Sequence, residues 1–226
     1  MYNTSNEIMI ESAEIDLLVT EGLTDKSKKI LEEAIKKIKE FIRKVLTYIK
    51  SKLSNKAKDV DNAIKEVKDN GPKKVEEPII VVSIKKLNNL LDSIDLVLST
   101  AKEVVFSTKD DLDKLIDQID KDYYTMVSIY EKYRGDIEEE YTGEVAPLLT
   151  KYSNISASCN KTIDSIKRCA NDLDICLKAT SASTHALAPK KMKLISRTQL
   201  SIKVAIRAVE WILSHIKRCT FALNIK

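Results

Sequence analysis

TDKSKKILEEAIKKIKEFIRKVLTYIKSKLSNKAK, residues 24–58, is the stretch whose reading decides the fold. Its apolar residues Ile30, Ala34, Ile35, Ile38, Phe41, Ile42, Val45, Leu46, Ile49 and Leu53 recur three and four apart. At 100° per residue they gather into one arc of about 160°, the signature of a long amphipathic helix. The rest of the circumference is basic, with twelve Lys/Arg against four Asp/Glu. The segment before it carries five acids, Glu7, Glu11, Glu14, Asp16 and Glu21, and no base. An acidic leader, residues 1–23, thus precedes a basic helix, residues 24–70.

In the leader, Glu7, Glu11, Glu14 and Glu21 line up on one helical stripe flanked by Ile8, Ile10, Ile15, Leu17 and Leu18. A helix apolar on both sides of an acidic stripe is expected to dock on another surface. Gly22 breaks the pattern, and Thr24, Asp25 and Ser27 offer N-caps for the basic helix. That helix is expected to weaken near Ser54 and Asn55, although Val60, Ala63, Ile64 and Val67 could carry it further, and to stop at Asn70-Gly71-Pro72. The KKVEEP that follows reads as a linker over residues 71–82 and as the main domain boundary.

Downstream, Ile84, Leu87, Leu91, Ile94, Leu98, Ala101 and Val105 repeat as a heptad seam. Ser107 to Asp111 reads as a cap opening a second seam, Leu112, Ile116, Ile119, Tyr123, Met126, Tyr130 and Tyr133, so the two helices make an antiparallel hairpin. Gly135, the acidic DIEEE and Gly143 to Pro147 mark a corner; a third helix follows Leu148, Tyr152, Ile155, Cys159, Ile163, Ile166, Ala170, Leu173 and Leu177. SASTHALAP, residues 181–189, is a loop before the last helix. The expected fold is all-α: a long-helix antiparallel bundle of four helices over residues 83–226, preceded by an N-terminal amphipathic helical segment. IKRCANDLDI from Ile166 and IKRCTFALNI from Ile216 match at six of ten positions, which suggests a duplicated helix or two helices with similar neighbours.

The final helix has a sharply divided wheel. Ile195, Ile202, Ala205, Ile206, Val209, Leu213 and Ile216 share one face. Lys190, Lys193, Arg197, Lys203, Arg207 and Arg218 lie opposite within about 140°, with Trp211, the only tryptophan, in their midst and His215 one turn on. Lys193, Arg197, Lys203, Arg207, Trp211, His215 and Arg218 form a candidate interaction surface. In one reading another segment covers Trp211, the leader's acidic stripe being complementary in charge. In the other the surface meets nucleic acid, cations on phosphates and Trp211 stacking on a base. The apolar arc of the basic helix, Ile38, Phe41, Ile42, Val45 and Ile49, is a candidate membrane or partner face: either the helix packs in the bundle with its lysines solvated, or it lies on anionic lipid.

Nothing in the sequence is a catalytic signature, and no catalytic, cofactor-binding or metal-binding residues are assigned. His185 and His215 stand far apart in the chain and lack the Cys or Glu spacing of a metal site. With four glycines in 226 residues, no phosphate-cradling loop is present. Cys159, Cys169, Cys176 and Cys219 lie inside helical patterns and read as small buried hydrophobes. No apolar run approaches the ~20 residues of a membrane span, and the first residues lack the basic and apolar regions of a secretory signal. The net charge of +4 divides into blocks: −5 over 1–23, +8 over 24–58, −2 over 59–108, −7 over 109–146 and +10 over 147–226. Such segregation points to oppositely charged segments that face each other or meet separate partners.

ESAEIDLLVTEGLTDKSKKILEEAIKKIKEFIRKVLTYIKSKL, from Glu11, resembles the N-termini of virion and internal head (capsid-core) proteins of large tailed bacteriophages, in which a short acidic leader precedes a Lys/Ile-rich helix. The resemblance is confined to positions 1–55. It implies that the leader is removed by a prohead protease cutting after a Glu with an aliphatic residue upstream, which here falls at Glu21–Gly22 after Leu18-Val19-Thr20. It further implies a non-enzymatic structural component in the virion or host cytoplasm. The expected partners are other virion or structural proteins, an anionic surface of DNA or lipid, or a second copy through the heptad seams.

Overall fold

The basic helix does not weaken at Ser54; it runs on through a wide turn. A computed structural model describes residues 28–106, 112–181 and 188–224. The acidic leader with Glu21 and Gly22, the caps at Thr24, Asp25 and Ser27, the cap at 107–111 and His185 lie outside the described residues. Helix α1 (Lys28–Tyr48) passes through a π turn (Ile49–Leu53) into α2 (Ser54–Asn70). The cause is visible in the spacing of Val45, Ile49, Leu53 and Ala57, all buried and each four apart. Three consecutive steps of four overrun a 3.6-residue period by more than one residue, and a turn closed by an i→i+5 bond takes up the excess. Ser54 N–H makes that bond to the Ile49 carbonyl. Ser51 and Asn55 side chains donate to the Thr47 and Ser51 carbonyls at 2.8 and 3.0 Å, satisfying acceptors along the altered turn. Helix α2 stops where expected. A Cβ on Gly71 would stand 2.6 Å from the Val67 carbonyl oxygen that the Gly71 N–H bonds, so only glycine fits this exit.

Residues 71–82, expected as a linker, instead contain strand β1 (Lys74–Val82), which pairs antiparallel with β2 (Glu138–Glu144). The β-branched run Ile79 to Val82 drives this, burying Val75, Ile79, Val81 and Val82. Between the pairs Val75↔Gly143 and Ile79↔Tyr141, β1 carries two extra residues, and Pro78 sits in that bulge, where its missing N–H costs no ladder bond. Gly143, opposite the bulge, has φ +124°, which a side chain would strain. The ribbon brackets the hairpin of α3 (Ile84–Phe106) and α4 (Leu112–Gly135), since β1 leads into α3 and α4 leads out to β2. Ser83 N–H donates to the Ile137 carbonyl and Val145 N–H to the Lys73 carbonyl, closing both ends of the ribbon.

Two long helices complete the chain, α5 (Val145–Ser181) and α6 (Ala188–Asn224). The described residues therefore build a predominantly all-α fold of five helices, α1 and α2 being halves of one, with a two-stranded ribbon. No boundary separates the basic helix from the rest: α1 packs on α5, and α2 on both α5 and α6. Helix α6 is the hub, packed by α2, α3, α4 and α5. Six consecutive residues, Ser201 to Ile206, are buried, so this helix has no solvent side at its middle. The described seam residues of α3, α4 and α5 are buried or half-buried within the chain. Polar links fix the register between helices: Thr100 to Asp122 at 2.6 Å, buried, and Thr162 to Asp95 at 3.0 Å and Ser156 to Asp61 at 2.6 Å, both part-buried. The two IKRC stretches share a burial pattern, with Ile166 and Ile216, Cys169 and Cys219, and Leu173 and Leu223 buried alike and the Lys-Arg pairs exposed alike.

Candidate interaction surfaces

The basic face expected on α6 is not an open surface. Helix α2 holds one flank, where Lys56 pairs with Glu210 at 3.3 Å, Lys217 with Asp59 at 3.1 Å, and Asn224 donates to Glu66 at 3.2 Å. Helix α4 holds the other: Arg197 pairs with Asp120 at 2.8 Å, and Tyr130 meets Trp211 edge-on with ring centroids 5.8 Å apart. Along this face Lys193, Arg197, Arg207, Trp211 and His215 form the half-buried floor of a furrow in two stretches, Lys193 with Arg197 and Arg207 with Trp211 and His215, parted by the buried run Ser201–Ile206. Lys203 is 7% exposed and Arg218 lies at the open end, paired with Glu138 of β2. The wheel showed correctly that these side chains share a face. It could not show that neighbouring helices rise on both sides of that face.

Electrostatics inside the furrow follow from burial. Loss of water, with the Arg207 charge nearby, brings the Lys203 amine down to about 8. Burial likewise lowers His215, whose ring lies tilted against Trp211 with centroids 4.3 Å apart. Its Nδ1 lies 2.9 Å from the Trp211 carbonyl, an acceptor, so Nδ1 carries the proton. Burial and the Glu210 carboxylate raise the Tyr48 hydroxyl. Deeper in, Thr198 and Gln199 are buried with no hydrogen-bond partner for their side chains among the described residues, a polar interruption of the core that periodicity alone gave no reason to expect.

The candidate membrane or partner face is also not a surface. Ile38, Phe41, Ile42, Val45 and Ile49 are all buried, turned into the bundle mainly against α5. Opposite this arc runs a feature the sequence reading did not single out. Lys36, Arg43, Lys50, Lys58 and Lys65 are all exposed and lie in one line along α1 and α2. Their spacing is seven, seven, eight and seven residues, and the eight falls across the π turn, which supplies the extra residue. The core positions Ile38, Val45, Leu53, Val60 and Val67 step in the same way, with their eight also across the π turn, so one wide turn keeps both stripes straight. Among the described residues none of the five makes an ion pair. That seven-seven-eight-seven pattern was the available signal.

The ridge overlooks the seam between α1–α2 and the antiparallel α5. Two grooves open along that seam, one of about 300 Å³ with Lys39, Arg43 and Lys178, and one of about 360 Å³ with Lys65 and Lys68. A third groove, about 450 Å³, lies between α2 and α6 beside the exposed Phe221. The four cysteines are buried and unpaired in disulfides, and burial pushes the Cys159 thiol up to about 12 and Cys169 to about 11, so both stay protonated at neutral pH. Among the described residues no cluster of His, Cys, Asp and Glu could hold a metal ion, and no helix is long and apolar enough to cross a membrane. No protein family, curated protein or solved structure matches the chain.

Proposed function

We propose that the protein is a non-enzymatic helical interaction component of a tailed-phage particle, virion-associated or internal to the head, whose acidic leader pairs with the basic furrow of α6. The observation that carries this reading is the half-buried furrow itself, with Arg207 one turn from the single tryptophan and Lys193 and Arg197 farther along the same face, in a chain whose leader sums to −5. Charge complementarity and the double apolar flank of the leader supply the attraction. Removal of the leader after Glu21 would then bare the furrow for a partner within the particle. The membrane reading loses its footing, because the apolar arc that would enter the lipid is part of the core.

Two experiments test the proposal. N-terminal sequencing and intact mass of the protein from purified particles should give a start at Gly22; a start at Met1 within particles refutes processing. Replacing Glu7, Glu11 and Glu14 together by Lys should shift Trp211 emission to the red as the furrow takes up water. Unchanged emission would rule out pairing of the leader with this face.

A further inference from the structure

We infer that the exposed ridge Lys36, Arg43, Lys50, Lys58 and Lys65 binds the phosphate backbone of double-stranded DNA without regard to sequence. The site is separate from the furrow: Arg43 and Lys65 line the α5 flank of the long helix, whereas Lys56, Ala63 and Glu66 line its α6 flank. The ridge extends about 43 Å at 1.5 Å per residue, longer than the ~34 Å turn of a duplex, with a cation about every 10 Å. Lys39 and Lys68 stand beside it in the two seam grooves and widen the positive band. Of the nearby acids, Asp61 accepts from Ser156 of α5, Asp59 is paired with Lys217 of α6, Asp174 with Lys178, Glu40 is only half exposed, and the exposed Glu32 and Asp69 lie beyond the two ends of the ridge.

The kind of polyanion follows from what accompanies the cations. The exposed positions between ridge members are Lys44, Thr47, Ser51, Lys52, Asn55, Asp59, Asp61 and Asn62, with no aromatic or aliphatic side chain among them. Single-stranded nucleic acid is held by stacking on aromatic rings, and the ridge has none. A protein partner needs apolar anchors at the centre of the contact, and a lipid surface needs apolar side chains to insert. A rigid, straight, all-polar row of cations is suited to a regular array of phosphates, where affinity comes from released counterions.

Titration of the full chain with a random-sequence duplex of about three helical turns tests this, read by fluorescence anisotropy across a salt series. Five phosphate contacts give a slope of log K against log salt of about −4.5. Lys50→Gln with Lys58→Gln should reduce that slope by about two and weaken binding roughly sixtyfold at ~0.1 M salt, with the thermal midpoint unchanged. Absence of duplex binding, or a slope indifferent to these substitutions, overturns the inference. So does equal or stronger retention on phosphatidylserine vesicles, or preference for single strands. Lys50 and Lys58 lie outside both leader and furrow, so the effect of their substitution is read independently of the leader's pairing with α6.

Discussion

The long helix α1–α2 and the hub helix α6 are both basic and amphipathic in sequence, yet the protein treats their cations in opposite ways. On α1–α2 the ridge from Lys36 to Lys65 stands in water without an ion pair among the described residues. On α6 the equivalent positions are walled by α2 and α4, Lys203 is buried, and Arg197 is paired with Asp120. The difference lies in the number of neighbours. A helix at the edge of a bundle buries one arc and leaves the opposite arc free, whereas a helix packed on four sides must accommodate whatever charge its sequence carries. A helical wheel reports the first property only.

Changing the length of each helix by one residue should expose this contrast most strongly. Deleting Ser201 turns half of α6 by about 100° against four packed neighbours, and loss of the cooperative thermal transition is expected. Deleting Ser51 should be tolerated within about 1 kcal/mol, because the π turn becomes an ordinary turn and both stripes keep their line. A cooperative transition for the Ser51 deletion, and none for the Ser201 deletion, is the pattern to look for in calorimetry. Next in size, Ile202→Ala removes a fully buried side chain of α6 and should cost about 2–5 kcal/mol in urea unfolding. Lys50→Ala on the ridge should fall within about 0.5 kcal/mol.

Smaller effects probe the buried charges. Lys203 is lowered to about 8 against 10.5 unfolded, so between those values the unfolded chain holds a proton that the folded chain has released. Stability therefore rises with pH across that window, and Lys203→Met should remove the rise. A lysine of the ridge replaced in the same way should leave the profile as it was. His215 is lowered too, so the folded chain keeps it neutral below 6.5. Its protonation beside the Trp211 ring should quench fluorescence with a midpoint under that value, and His215→Asn should abolish the step while leaving emission near neutral pH almost unaltered.

Much of the helical architecture was legible because period-3.6 apolar spacing is a local signal: among the described residues the hairpin seams and α5 pack as the spacing predicts, with Ile84, Tyr123 and Tyr133 half-buried. The strand β1 was hidden because Glu76, Glu77 and Pro78 look like linker residues, and the two-residue bulge that makes them compatible with a ribbon depends on β2, which the chain reaches only after the whole α3–α4 hairpin. The π turn was written in the four-four-four spacing from Val45 to Ala57, a pattern that an ordinary helix cannot keep on one face. The furrow is a different matter. That Arg197 and Trp211 share a face could be read, but the walls made by Asp120, Tyr130 and Lys56 come from distant helices and have no local trace. Gln199 and Lys203 would have been placed outside by any rule that excludes polar residues from a core, and only the packing of the hub puts them within.

Lysine reactivity under native conditions measures the contrast between ridge and hub most directly. Brief acetylation of the full chain, quenched and read residue by residue by mass spectrometry, should modify Lys36, Lys50, Lys58 and Lys65 at the rates of solvent lysines, and leave Lys203 unmodified until denaturant is added. Lys203 reacting as fast as the ridge would contradict the account, for then the basic stripe of α6 would be as open as that of the long helix.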